Sequence, residues 1–317
     1  MPTLVTSATD DDKWQGGGTP YSTFASLPAR RINVGSAVME IAFAPGDFDL
    51  PEREILNWVA ARARIVAGYY GRFPVKRLRL LVVPVEGDGV LHGTSFGYAG
   101  AAIKLDLGRS VKPSQLENDW ILLHEMVHLA FPSQARRHLW IEEGLATYIE
   151  PIARVQAGQM RADEIWRQLY IGLPKGLPRP DDQGLDYTHT WGRTYWGGAL
   201  FCLLADVEIH RRTNNEHGLQ DALRAVVNAG GSIEAEWPLE RVLQIGDQAI
   251  GVPVLTNLYE HMKATPVDTD LQSLWQRLGI TMKDGKVAFD DGAPLAAVRA
   301  AITAPPVSGN RLGRAAQ

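Results

Sequence analysis

Two histidines stand four residues apart, with a glutamate directly after the first, in W-I-L-L-H-E-M-V-H-L-A-F-P, residues 120–132. On a helix, positions i and i+4 share a face, so His124 and His128 can hold one ion together. Glu125 adjoins the first of them, where its carboxylate can reach a water that the ion activates. This is the H-E-x-x-H arrangement, two zinc ligands and a general base. The surrounding residues are apolar: Trp120, Ile121, Leu122, Met126, Val127 and Leu129. Three ionisable groups on such a helix are costly to bury unless they are paired or coordinated. The pattern therefore points to one Zn2+ per chain and hydrolysis by an activated water.

Catalytic zinc takes three protein ligands and leaves a further position for water. Glu142 and Glu143 open the next helix after a short connection that contains Pro132, and helical periodicity does not choose between them. His138, in the basic turn A-R-R-H, is a further candidate. The segment W-I-E-E-G-L-A-T-Y-I-E is similar to the W-x-x-E-G-x-A-x-Y-x-E segment that follows H-E-x-x-H in gluzincin zinc metallopeptidases. The resemblance implies that Glu143 is the third ligand and that Glu150, two helical turns on, supports the ligands from behind. It leaves Glu142 solvated or supporting. A later stretch, T-Y-W-G-G-A-L-F-C-L-L-A, resembles the Y-x-K-G-A segment of the glycyl-aminopeptidase-like and leukotriene-hydrolase-type aminopeptidase families. By position that resemblance gives Tyr195 the stabilisation of an oxyanion; the alternative is an aromatic packed on Trp191 or Trp196. Gly197 stands where the families have Lys, the spacing from His128 to Glu143 is shorter than theirs, and their amine-anchoring G-x-M-E-N segment has no counterpart. V-M-E-I at 38–41 falls in an early strand and is no substitute for it.

These residues need elements to hold them. I-N-V-G-S-A-V-M-E-I-A-F (32–43), R-L-R-L-L-V-V-P-V (77–85) and A-A-I-K-L-D-L-G (101–108) read as strands. A helix opens at Pro51, with Ile55, Val59, Ala63 and Val66 on one face. The glycine-rich run between the second and third strands holds Gly93, Thr94, Ser95, Phe96 and Gly97. It is either a connecting loop or, as in gluzincins, an edge strand over the metal cleft that pairs with an extended peptide. Helices dominate from 113. Ser114 and Glu117 suggest a capping box for a helix running unbroken to Pro132, followed by helices over 140–158, 194–212, 218–229, 237–245, 254–264 and 270–278. T-M-K-D-G-K-V-A-F (281–289) reads as a hairpin on an Asp-Gly turn. Stretch 172–186, rich in Pro, Gly and Asp, is the longest loop and a candidate mobile edge; His189 follows it, close enough to Tyr195 to line a cleft.

The expected architecture is α+β, a thermolysin-like gluzincin catalytic domain with a small mixed β-sheet followed by a larger helical part. The expected division is a flexible tail (1–30), an N-terminal α/β part (31–112), a helical part with the zinc site (113–265), and C-terminal helices and hairpin with a loose end (266–317). The chain has 317 residues, 45% of them hydrophobic, a formal net charge of -4 and a pI near 6.1, which gives no sign of nucleic acid or an anionic membrane as partner. Its one cysteine, Cys202, lies in an apolar run and reads as packing. No run approaches the ~18 apolar residues of a membrane-spanning helix. The N-terminus lacks the basic start and apolar core of a signal peptide. A periplasmic or secreted location is expected if an export signal precedes Met1, and a cytoplasmic one otherwise. The expected function is zinc-dependent cleavage of a peptide or protein substrate, by an aminopeptidase in the first place and an endopeptidase in the second. A non-catalytic binding or scaffold protein keeping the same fold is the alternative from another class.

Overall fold

The computed structural model describes residues 20–305. A short helix α1 (Pro20–Ser26) leads into an antiparallel hairpin, β1 (Ala29–Val34) and β2 (Ala37–Phe43). Helix α2 (Glu52–Tyr70) then crosses to β3 (Arg77–Val85), and β4 (Val90–Phe96) and β5 (Ala102–Gly108) complete a five-stranded sheet in the order β1-β2-β3-β5-β4. The pairs β2–β3 and β3–β5 are parallel and the outer pairs antiparallel, so the sheet is mixed as expected. The single strand expected over 32–43 is instead a hairpin, turned at Gly35, whose φ of 58° lies in the left-handed region that glycine adopts at no steric cost.

Part of the expected tail, residues 1–19, lies outside the described residues. From Pro20 on, the expectation of a loose tail is corrected. Phe24 and Leu27 pack on Ala42, Ala44, Leu81 and Val83 and cover the outer face of the sheet, so α1 has apolar area to bury. The inner face of the sheet meets α2, on which Ile55, Val59, Ala63 and Val66 are all buried.

The remaining elements are helical except for one hairpin. They run α3 (Pro113–Asn118), α4 (Ile121–His128), α5 (Leu139–Gln156), α6 (Ala162–Gly172), α7 (Gly198–Arg212), α8 (Leu219–Asn228), α9 (Leu239–Ile250), α10 (Val254–Met262), α11 (Leu271–Leu278), the hairpin β6 (Ile280–Lys283) and β7 (Lys286–Phe289), and α12 (Ala296–Thr303). The helix expected to run unbroken from Ser114 to Pro132 is two helices. Asp119 takes an extended conformation and its carboxylate accepts from the N–H groups of Ile121 (3.0 Å) and Leu122 (3.1 Å), which caps α4 as a new start. The cap of α3 is not the expected Ser114–Glu117 pair; the Gln115 side chain accepts from the Lys112 N–H. Helix α6 was not foreseen from the sequence.

One apolar core runs through the molecule. It joins Leu80, Ile103 and Leu105 of the sheet to Leu122, Met126, Ala146, Ile149, Leu200 and Leu203 of the helices. No helix among the described residues is long and apolar enough to cross a membrane. Cys202 is buried. Stretch 172–186 is fastened at its far end: Leu185 and Asp186 donate backbone N–H groups to the carbonyls of Met262 and Lys263 at the end of α10.

Candidate metal centre and cleft

Helix α4 packs against β4 and α5 and carries the histidine pair at its middle and its last residue. Its 3.6-residue turn sets the rings of His124 and His128 edge to face with centroids 4.9 Å apart. Helix α5 brings Glu143 to them. One Glu143 carboxylate oxygen lies 3.2 Å from His124 Nε2 and 3.7 Å from His128 Nε2. One ligand atom from each of the three residues falls within 4.8 Å of the other two. Glu142, next in the chain, points elsewhere: its carboxylate accepts from the Gln134 backbone N–H at 2.7 Å, and burial pushes it up to about 7. His138 is turned to Asp186, at 2.9 Å, and takes no part in the cluster.

The electrostatics suit a cation. Burial alone would push the Glu143 carboxyl up, but His128 and His124 outweigh it and hold the group below the usual carboxylate value, so it is charged. Burial pushes His128 down, which leaves it a neutral imidazole with a free lone pair. Burial disfavours the charged form of His124 as well, but there the Glu143 hydrogen bond and charge win and hold it up. Two imidazoles and one carboxylate, buried apart from a partly exposed His128, converge in the donor set that zinc takes. Behind them Glu150 is buried, paired with Arg154 at 3.3 Å, and pushed by burial up to about 7. Its charge is felt at His124, although no direct hydrogen bond joins the two among the described residues.

The first helical turn expected at Thr194 is a π-helical segment, Gly192–Gly197, that runs into α7. The π-helical segment places Tyr195 beside Glu143, close enough for the hydroxyl to help hold that carboxyl down. Burial, with Glu143 and Glu125 beside it, pushes the phenol well up, so it stays a donor. Buried Arg193 holds this segment in place through Asp182 (2.7 Å) and the Gly176 carbonyl (2.6 Å). The ring of Tyr195 also stacks on Trp191, centroids 5.9 Å apart. The packing on Trp191 expected as the alternative reading of Tyr195 is present.

The glycine-rich run is a strand. β4 pairs with β5 and stands at the edge of the sheet, against α4. Gly93 and Ser95 face Glu125, whereas Phe96 is buried and Gly97 is pressed on the Ile233 carbonyl, away from the triad. Thr94, between Gly93 and Ser95, pairs with Lys104. His189 is exposed, and among the described residues it makes no hydrogen bond to the triad. Sequence reasoning missed two features. Trp120 packs edge-on against His124, centroids 5.4 Å apart, while remaining 45% exposed, and Ser95 contacts Glu125 from thirty residues away. No local pattern announces either.

No family model matches the chain, and no curated protein matches it. Solved structures do. An aminopeptidase N family protein from Idiomarina loihiensis superposes with a TM-score of 0.60 at 14% identity, over 81% of this chain and 50% of its own. A two-domain M1 zinc metallopeptidase mutant bound to L-arginine gives 0.50 at 16% identity, over 76% of this chain and 53% of its own. The chain spans about half the length of these structures and has the mixed α/β fold of M1 peptidase domains.

Proposed function

We propose that this chain is a zinc-dependent peptidase of the gluzincin type. The observation that carries the reading is the convergence of His124, His128 and Glu143 on one point, with Glu125 and Tyr195 beside them. His124, His128 and Glu143 would hold the ion. A bound zinc would supply Lewis acidity to a scissile carbonyl and to a water. Glu125 takes the proton of the attacking water on its carboxylate and passes it to the leaving amine. Tyr195, kept protonated, donates its O–H to the carbonyl oxygen as negative charge develops there. The substrate lies extended along the free edge of β4, within backbone hydrogen-bonding reach.

Aminopeptidase action is favoured by the Tyr195 segment and by the fold shared with an aminopeptidase N family protein. Endopeptidase action is the second reading, supported by the edge strand and by the missing amine-anchoring segment. One experiment tests the reading: metal content together with cleavage of a peptide library, free or acetylated at the N-terminus. About one zinc per chain is expected. It should be lost in Glu143→Ala, kept in Glu142→Ala, and kept with turnover abolished in Glu125→Gln. Acetylation should block cleavage if the enzyme is an aminopeptidase and leave it unchanged if it is an endopeptidase. A metal-free wild type after incubation with zinc would overturn the proposal.

A further inference from the structure

Side chains alternate along a strand, so Gly93 and Ser95 of β4 share one face, and that face is turned to Glu125. Ser95 Oγ lies 2.6 Å from Glu125 Oε2 and 2.8 Å from the backbone carbonyl oxygen of the same residue. A hydroxyl has one proton, and of the two acceptors the charged carboxylate makes the stronger bond. Two positions earlier the strand carries no side chain. A Cβ on Gly93 would stand 2.6 Å from Glu125 Cγ and 2.9 Å from Ile121 Cγ2. The backbone at Gly93 therefore lies against the stem of Glu125 while Ser95 ties its tip. A glutamate side chain left to itself samples many rotamers. Here one carboxylate oxygen is occupied by Ser95, and the other is left to exchange a proton.

We propose that Ser95 is a positioning residue for Glu125, with Gly93 giving the clearance that lets β4 close on it. The edge strand then has two functions, a template for substrate on its free edge and a clamp for the base on its face. This rests on Glu125 being the base. The test is a double-variant cycle on the zinc-loaded enzyme with one peptide substrate. Ser95→Ala should lower kcat about 10- to 100-fold, the scale on which a displaced catalytic group is felt. KM, zinc content and unfolding midpoint should stay at wild-type values, and Ser95→Thr should recover most of the rate. In a Glu125→Asp background, where the shorter stem already takes a still basic carboxylate off Ser95 and leaves a reduced but measurable rate, Ser95→Ala should cost nothing further. A crystal structure of the Ser95→Ala variant should show the Glu125 side chain in more than one rotamer. Ser95→Ala at the wild-type rate, with Glu125→Gln inactive, overturns the clamp and leaves the peptidase reading standing. The same loss in both backgrounds also overturns it, because Ser95 would then act through another group. Glu125→Gln at full rate overturns the base and the clamp together.

Discussion

In the proposed mechanism the Tyr195 hydroxyl, which lies beside the proposed ligand Glu143, is the group that meets the developing oxyanion. Tyr195→Phe keeps the ring and its stacking on Trp191 and removes only the donor. Loss of one oxyanion donor costs roughly 10²- to 10³-fold in kcat, so that is the expected effect, with KM and zinc content close to wild type. Steady-state kinetics beside metal analysis would check it; a loss below about threefold would return Tyr195 to a packing role. At this scale the sequence was informative where the contact is local. His124, Glu125 and His128 follow from one helical turn. The choice between Glu142 and Glu143 did not, because either can face a neighbouring helix until the crossing of α4 and α5 is known. The crossing turns Glu143 to the histidines and Glu142 to the Gln134 backbone. The contact of Ser95 with Glu125 depends on the sheet edge folding over α4 and has no trace in the spacing of residues.

Two helices set the distance between Glu143 and Tyr195, the proposed ligand and the proposed oxyanion donor. Glu143 is followed by Gly144 on α5, and Tyr195 lies just ahead of Gly198, the start of α7. The two glycines meet: a Cβ on Gly198 would stand 2.7 Å from Gly144 Cα, and one on Gly144 would collide with the Gly198 backbone. The glycines in E-G-x-A and G-G-A thus have a steric reason, since any side chain would push α7 off α5 and take Tyr195 away from Glu143. Gly144→Ala should destabilise the fold by about 1–3 kcal/mol, the usual cost of overpacking. It should also weaken zinc binding, because the crossing carries the proposed ligand Glu143. Urea unfolding and chelator competition measure the two effects separately; wild-type values in both would contradict this account of the crossing. The break between α3 and α4 was hidden from the sequence because Asp119 reads as an ordinary polar residue within a helical pattern. Only its two bonds to the N–H groups of Ile121 and Leu122 make it a cap. The π-helical turn was equally hidden, since its winding is enforced by buried Arg193 and Asp182 from the loop before it.

Over the whole molecule, the mixed sheet, the apolar face of α2 and the order of most helices were legible, because periodicity and turn residues are local signals. The Pro, Gly and Asp content of stretch 172–186 makes it a candidate mobile edge, and composition says nothing of a partner far along the chain. That partner is a buried knot at Asp186. Arg137 Nε donates to His138 Nε2 (3.0 Å), so the His138 proton sits on Nδ1 and is donated to Asp186 Oδ1 at 2.9 Å. Trp140 donates to the same oxygen at 2.7 Å, and Tyr259 donates to Oδ2 at 2.9 Å. The knot joins the start of α5, the loop and α10, and through α5 it fixes where Glu143 begins. Burial would raise the Asp186 carboxyl, but the hydrogen bonds from His138, Trp140 and Tyr259 outweigh it and hold it below its ordinary value of 3.8. On acidification the unfolded chain therefore takes up this proton first. The stability Asp186 contributes is complete above pH 3.8 and is lost as pH falls through its lower folded value. Asp186→Asn leaves one acceptor oxygen in place of two and takes away the acceptor of the Tyr259 hydroxyl proton, at a cost of about 1–3 kcal/mol near neutral pH. The gap to wild type should stay constant down to about pH 4 and narrow below it as the wild type loses its advantage. Urea unfolding of both proteins across that range measures the gap. A gap that widens with acid, or is absent at pH 7, would mean that the loop and α10 are held together by something other than this carboxylate.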